Sequence, residues 1–549
     1  MNRRRDRLYM MMDRVRANRW KCRLIKLNGV NMKRIGYILM CVLSVLSVSC
    51  FDDDSNTDIR ELNPIVIDLD NTDLYVNQMD TLRVEPLIYC EGVPDTQLSF
   101  EWVLMKHGTI VPQLLDTTMY FCAQITTPPD NYQLRLTVTD KTTGIYRIET
   151  YSVFVNPTFA DGLLIADTKD DGVTSDINLV MCRELSANFH MYNEERKIFR
   201  GIWEMVNHTP LEGNVLSVNL SSLYNENKCA TIVTSKNAYR ADYTDYKYLA
   251  MGSSLFYVPP RFLEEGIHSA MATFRSNAGM ENLAVNGLVY GRTVGGSYGT
   301  ELYPTGVDEY NITMMMMPTT LWTMAPSYAY DALGKRMLFF TQEAAYKPAE
   351  FQYGGGFNAG DLSDYEALFL GESSEGILLL ADNLKTGTKE ALVMNEINQF
   401  QIQNASNIAQ KKVPVSNDAP HIEQARFWAS SKRGTALYYA TETEVYAGSI
   451  SDMGRATLQW KVNERAGETI TGLQVYNWQG GYFYSDETDD FVSSDYRLLL
   501  ITVQTANGEG KVTAVPIKNV HTGVLEQSEK RHIVLDGFGK ILGIYKQVR

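Results

Sequence analysis

Histidine and cysteine are both scarce in these 549 residues, at seven each, and their scarcity excludes several chemistries. The histidines stand singly, with no HExxH and no pair at ligand spacing, which disfavours a zinc enzyme. No two cysteines show the CxxC spacing of a redox or metal site. A glycine-rich phosphate loop and a dinucleotide fingerprint are also missing. One stretch, GGSYG at Gly295 to Gly299, matches GxSxG with Ser297 as its serine. A nucleophile elbow needs a helix next, and TELYPTG follows instead, so a glycine-rich hairpin loop accounts for these residues. No catalytic residue is assigned.

Long apolar runs are missing too. Ile35 to Val48 is too short for a bilayer of roughly 30 Å, which needs about 20 residues. It follows the positive pair Lys33 and Arg34 and runs through Ser47, Val48 and Ser49 into Cys50. A charged start, a short apolar segment and small residues before a cysteine describe a lipoprotein signal over 32–49, with Cys50 as the lipidated first residue of the mature protein. An uncleaved anchor is the rival reading, disfavoured by length. Residues 1–31 hold ten basic residues and resemble neither a fold nor a signal, so translation is expected to start at Met32.

Removal of residues 1–49 takes away 12 basic and 2 acidic side chains. The mature chain then has 39 basic and 63 acidic residues, a net charge of −24. Such a surface disfavours nucleic acid and acidic polysaccharide as partners and leaves neutral glycans and peptides open. Asp52, Asp53 and Asp54 begin an acidic tether over 50–62. A similar cluster beside the lipidated cysteine of Bacteroidota lipoproteins marks export to the cell surface, so the resemblance implies an outer-membrane protein facing outward. A solvated linker is the plainer reading.

Four cysteines remain apart from Cys50. Cys90 and Cys122 fall in the first globular region, where a bridge and separate burial both stay open. From 63 to 156 the chain alternates apolar and polar residues in short runs, among them TLRVEPLIY, LSFEWVLM, YQLRLTVTD and IYRIETYSVFV. Turn clusters separate the runs at the spacing of a small antiparallel sandwich. Trp102 is placed to fill the space between two sheets, and Tyr132 to tie a loop to its strand through the hydroxyl. LSFEWVLMKHG, followed by NYQLRLTVTDKTTG, resembles the PKD-like lipoproteins of Bacteroidota. It departs from ordinary PKD domains, having FEWVLMKHG where they carry a WDFGDG-like stretch. The resemblance implies an Ig/PKD-like sandwich and a place beside SusC/SusD-type nutrient importers, with no activity attached.

Residues 157–549 carry about two dozen short β-like runs and few helical patterns, a density suited to a β-propeller-like ring of six to eight blades, seven favoured. GLLIADTKDDGVTSDINLVM from Gly162 and GILLLADNLKTGTKEALVM from Gly376 read as equivalent hairpins. HIVLDGFGKILGIYKQVR supplies two further strands able to close the ring on the first blade. Short helices are expected at 364–370 and 422–430. The whole is all-β.

Aromatic residues in turn-like contexts are the main lead to a ligand site. Trp322, Tyr328 and Tyr330 surround Pro326; Tyr353 and Phe357 flank three glycines; Trp478, Tyr482 and Tyr484 surround Gly480 and Gly481. Aromatic faces stack on sugars or grip peptide side chains, and glycines admit a ligand to the backbone. Core packing is the alternative for each residue. Asp167, Asp170 and Asp171, and separately Asp486, Glu487, Asp489 and Asp490, could offer oxygens to calcium. Neither set has the full pattern of a calcium loop, so solvated turns account for them and no cofactor is expected. Thr81 and Thr117 lie in D-T-x triplets that resemble an O-glycosylation sequon of Bacteroidota. Two functions stay in view: a non-enzymatic surface protein that binds a glycan or peptide or docks on an importer, and a propeller glycosidase, lyase or peptidase.

Overall fold

The computed structural model describes residues 64–547, apart from 70, 79, 107–111, 188, 190, 193–194, 224–225, 276–279, 294–295, 303–308, 320–325, 341–348, 351–354, 398–407 and 478–479. Three sheets cover the first region. The largest has five strands in the order Asp73–Asn77, Tyr146–Asn156, Asp130–Asp140, Leu98–Lys106 and Gln113–Asp116, the first pair parallel. Thr81–Val84 pairs with Phe121–Gln124, and Ile65–Asp68 with Leu87–Cys90. Alternation in sequence becomes alternation in burial, as along Thr81–Val84, where Leu82 and Val84 point inward.

Trp102 is fully buried, packs against Phe121 and Tyr151 at 5.4 and 6.1 Å, and donates its indole N–H to the Thr118 carbonyl at 3.0 Å. The Tyr132 hydroxyl donates to the Pro128 carbonyl at 2.8 Å, holding the loop to its strand as expected. Gln113–Asp116 and Phe121–Gln124 carry no clear alternation and were not anticipated from the sequence. Cys90 is buried, whereas Cys122 is exposed with a free thiol, so the two do not bridge.

Among the described residues, seven antiparallel sheets then follow one another along the chain. Sheets two to seven open with Val215–Leu223, Ala270–Arg275, Ile312–Met316, Tyr365–Ser373, Phe427–Ser430 and Thr469–Val475. These opening strands neighbour one another in sequence order, and Lys540–Gln547 lies beside the first of them. That C-terminal strand pairs antiparallel with Gly162–Thr168, from Gly162 opposite Gln547 to Thr168 opposite Lys540. The first sheet is thus made from both ends of the region, which removes the open edges a linear stack would leave. Asp167 fastens the closure by accepting the Gly539 backbone N–H at 2.6 Å. The chain is all-β, a PKD-like sandwich followed by a propeller-like ring.

Strands in the middle of several sheets are covered on both faces and read as continuous apolar runs: all seven residues of Gly162–Thr168 and all five of Ala436–Ala440 are buried. The two repeats occupy matching places, with Leu163 opposite Val180 in one hairpin and Ile377 opposite Met394 in the other. Their leading glycines share a cause. A Cβ on Gly162 would stand 2.4 Å from the Val180 carbonyl oxygen, and one on Gly376 2.3 Å from that of Met394.

Both expected helices are corrected. Residues 364–370 fall largely in the strand Tyr365–Ser373, and 422–430 form a single 3₁₀ turn, Ile422–Gln424, then the strand Phe427–Ser430. Good helix formers such as Glu366, Ala367 and Leu370 are overridden by a full ladder to Gly376–Asn383. Among the described residues, no helix is long and apolar enough to cross a membrane.

Because strands alternate in direction, the connections fall at two ends of the ring. Second-to-third-strand turns at one end span only two to five residues, as at 169–173, 286–287 and 384–387. Sheet-to-sheet connections such as 252–269 return at this short-turn end, while the opposite end carries the connections 182–196, 317–326, 395–408 and 476–497. That end is where polar groups gather.

Candidate functional site

Opening strands line the inside of the ring, and their apolar side chains, including Met314, Met316, Phe427 and Leu542, are only partly buried. Lys546 continues this lining. Its side chain is exposed to solvent. Desolvation by the neighbouring protein still holds its ammonium below the ordinary lysine range, against the opposing pull of Glu372 and Asp495.

Four connections of the polar end of the ring and one strand end are joined to one another by polar contacts, and two of their acids, Glu372 and Asp495, act on Lys546. Glu372, at the end of an opening strand, is buried and accepts two bonds from Thr319, from the backbone N–H at 2.7 Å and the hydroxyl at 2.8 Å. Lys432 Nζ lies 2.6 Å from Glu396 and 3.9 Å from Glu372. Arg433 donates to Asp495 Oδ2 at 2.9 Å and stacks over the Tyr496 ring at 5.4 Å. Tyr496 shares a 2.5 Å bond with the Thr319 hydroxyl, its own hydroxyl pushed up to about 12 by burial. Its φ of +58° is a left-handed conformation that costs an aromatic residue energy, a feature concentrated at functional sites.

Burial raises both Glu372 and Asp495 above the usual carboxylate range, Thr319 and Lys432 opposing it at the first, Arg433 and Lys546 at the second. Asp495 Oδ1 and the neighbouring Ser494 Oγ are buried without hydrogen-bond partners. Shifted acids and a shifted amine grouped where several connections meet make this the strongest candidate site in the described residues.

None of these groups was singled out from sequence, because they come from positions 319, 372, 396, 432–433, 494–496 and 546. The aromatic candidates are placed differently. Tyr328, Tyr330 and Phe357 come together, but inside the core between the fourth and fifth sheets. Tyr328 is fully buried, its hydroxyl donating to the Asn395 carbonyl at 2.8 Å and accepting from Ile397 N–H at 3.1 Å. Packing explains these three. Trp322, Tyr353 and Trp478 lie outside the described residues, as does Cys50. Thr319 immediately precedes the segment holding Trp322, and Tyr476, two residues before Trp478, accepts the Tyr496 backbone N–H at 2.8 Å.

Tyr482 and Tyr484 are half-buried on an inserted hairpin, Tyr482–Ser485 with Asp490–Ser493. Tyr484 lines an open cleft with Asp486, Lys518 and Arg531, and Arg531 lies over its ring at 4.8 Å. The nearby acids are taken: Asp486 by Arg531, Glu487 by Lys518 at 4.0 Å, Asp489 by the Tyr484 hydroxyl and Asp490 by the Phe491 N–H. Asp170 likewise accepts Thr174 N–H and hydroxyl, and Asp167 accepts Asn178. Asp171 sits at φ +55° in the same turn. Among the described residues no group of three His, Cys, Asp or Glu side chains could hold a metal ion. Thr81 and Thr117 are both exposed.

Ser297 is half-buried in a loop with no helix behind it, and the residue that matters there is Tyr298. Its hydroxyl donates to Glu281 at 2.7 Å, within a buried network in which Arg292 meets Glu281, Thr231 and Cys229.

No curated protein matches the chain in sequence. Among solved structures it is similar to a quinoprotein alcohol dehydrogenase-like protein of Bacteroides thetaiotaomicron, at 12% identity over 89% of this chain and 99% of that one, with a TM-score of 0.35. It is also similar to PorZ of Porphyromonas gingivalis, described as a surface component of the type-IX secretion system, at 11% identity over 68% and 39% with a TM-score of 0.32. Likenesses at this level carry no functional argument. Residues 50–214, which run from Cys50 through the sandwich and the N-terminal strands of the first of the seven sheets, match the model of the PKD-like family.

Proposed function

We propose that this is a lipid-anchored protein of the outer membrane, held through Cys50 and facing outward, whose ring takes a glycan or peptide ligand at its long-connection end. It acts without chemistry of its own, alone or docked on a SusC/SusD-type importer. One observation carries the reading: hydrogen bonds and ion pairs join Thr319, Glu372, Lys432, Arg433, Asp495 and Tyr496 from separate sheets at the end of the ring where two of those acids also act on Lys546. Trp322 and Trp478 belong to connections whose described flanks bond Tyr496, which suits them to stack on a ligand held there. Tyr482 and Tyr484, beside their own cleft, serve as a secondary contact.

The test is calorimetry of the purified mature domain against glycan and peptide panels, with affinity capture from native detergent-solubilised envelope. Trp322→Ala, Trp478→Ala and Asp495→Asn are expected to weaken binding. Absence of any bound glycan or peptide, together with no copurifying outer-membrane receptor, would sink the proposal. Thr81 and Thr117, both exposed, are proposed as glycosylation sites, and a mature mass equal to the unmodified lipoprotein would refute this.

A second reading has its own observation. Glu372 and Asp495 are both held above the ordinary carboxylate range beside Lys546, an arrangement suited to proton transfer in a glycosidase, lyase or peptidase. Turnover of extracted polymer, abolished by Glu372→Gln, would favour it over a binding protein.

A further inference from the structure

Away from the polar end, the outer wall of the ring carries an exposed apolar patch. Met205 lies on the helix Ile202–Asn207, while Tyr248, Leu249 and Met251 lie on Tyr248–Met251, the outermost strand of the second sheet. Tyr257 and Val258 follow just beyond it. Leu249 and Val258 are each 53% exposed and Tyr257 is 76% exposed, so they form no part of the core. Helix and strand are joined: the Tyr248 N–H donates to Asn207 Oδ1 at 2.8 Å, and the Trp203 ring meets that of Tyr248 at 6.5 Å. Contiguous exposed apolar surface marks a contact with another protein or with a membrane.

We infer that this patch lies against the lipid surface to which Cys50 tethers the chain. The inference rests on that anchoring. Charge is its first ground. The mature chain has 63 acidic residues, yet none falls in 246–263, where the only charged residues are Lys247 and Arg261. Acids border the patch at Glu204, Asp245 and Glu264, and Glu301 stands 3.8 Å from Arg261. An acid pressed against lipid would have to shed its water, a cost this stretch avoids. Tyrosines beside aliphatic side chains, flanked by long cations that reach back to water, have the composition of an interfacial contact.

Position is the second ground. Pro64 lies 14 residues beyond Cys50, a tether of at most about 50 Å when fully extended. The sandwich it leads into is fastened to the ring next to the patch. Lys197 Nζ pairs with Asp80 of the sandwich at 3.0 Å, and the helix bearing Met205 begins five residues later. The strand's own edge is the third ground. A protein strand docking on Tyr248–Met251 would pair with its outer backbone groups, and Asn207 already takes the Tyr248 N–H there. A lipid surface uses the side chains alone.

The experiment uses the mature chain without its lipid, residues 51–549, so that anchoring through Cys50 contributes nothing, with phosphatidylcholine vesicles at fixed ionic strength. The wild type is expected to co-sediment with the vesicles. Leu249→Glu combined with Tyr257→Glu should lower the partition coefficient at least about 10-fold, since two apolar side chains are lost. Leu384→Glu, at a similarly exposed leucine in a turn of the fifth sheet, should leave partitioning unchanged. Unfolding midpoints of the wild type and both variants should agree, because every substituted position is exposed, which separates lost contact from lost fold. A wild type that stays in the supernatant, a double variant that binds as well, or an equal loss in Leu384→Glu overturns the lipid contact. So does a patch-dependent dimer, or a copurifying outer-membrane protein, in the absence of vesicle binding. Each of these results leaves anchoring through Cys50 standing, which fractionation of Cys50→Ala tests separately.

Discussion

Glu281 and Arg292 face each other across about 2.8 Å with neither side chain exposed to solvent. Burial favours the neutral acid, yet Arg292 and the Tyr298 hydroxyl outweigh it and hold the carboxyl below its ordinary range. A carboxyl lowered by folding contributes stability above its unfolded value, and that contribution is lost as pH falls through the folded value. Arg292→Met should therefore cost about 3–5 kcal/mol, read as a lower unfolding midpoint, because an uncompensated charge stays behind. Adding Glu281→Gln should recover part of the loss and flatten the acid side of the stability curve. Single residues were legible only where one local rule decided them. Trp102 and Tyr132 stood in alternating strands that gave each side chain a direction. Ser297 was flagged by spacing, but its neighbour Tyr298 turns inward because the strand Met280–Val285 supplies Glu281, which no local pattern announces.

The two matched hairpins offer the clearest test at the level of an element. Gly162 and Gly376 each approach a carbonyl of the adjoining strand too closely for any side chain. Gly162→Ala and Gly376→Ala should each destabilise by at least about 1 kcal/mol, measured by denaturant titration, since the strand must shift to admit a methyl. Equal stability in either variant would mean that the hairpins yield more easily than their packing suggests. Most strands were readable as apolar runs or alternations, and the repeat was visible because equal places in a ring demand equal patterns. The strand at 365–373 was not. Its residues have good helix propensity, and only pairing with Gly376–Asn383 decides their state.

For the whole molecule, the critical pairing joins residues hundreds of positions apart, Gly162–Thr168 with Lys540–Gln547. Deleting residues 540–549 should expose a sheet edge and yield aggregation or a lower, broader unfolding transition in light scattering and calorimetry. A synthetic peptide of those residues should partly restore cooperativity. A monomeric deletion variant with an unchanged transition would show that closure contributes little. At the same scale, Cys50→Ala should move the protein from the membrane to the soluble fraction on cell fractionation and abolish incorporation of labelled fatty acid. The sequence by itself determined the expected leader and tether, the all-β class, the sandwich and the matched hairpins, because each rests on local composition or periodicity. Only the tertiary structure decided which end of the ring gathers polar groups, that Tyr328, Tyr330 and Phe357 are core, and that Glu372 and Asp495 act on Lys546. Those facts depend on contacts between segments that lie apart in sequence, which no local pattern encodes.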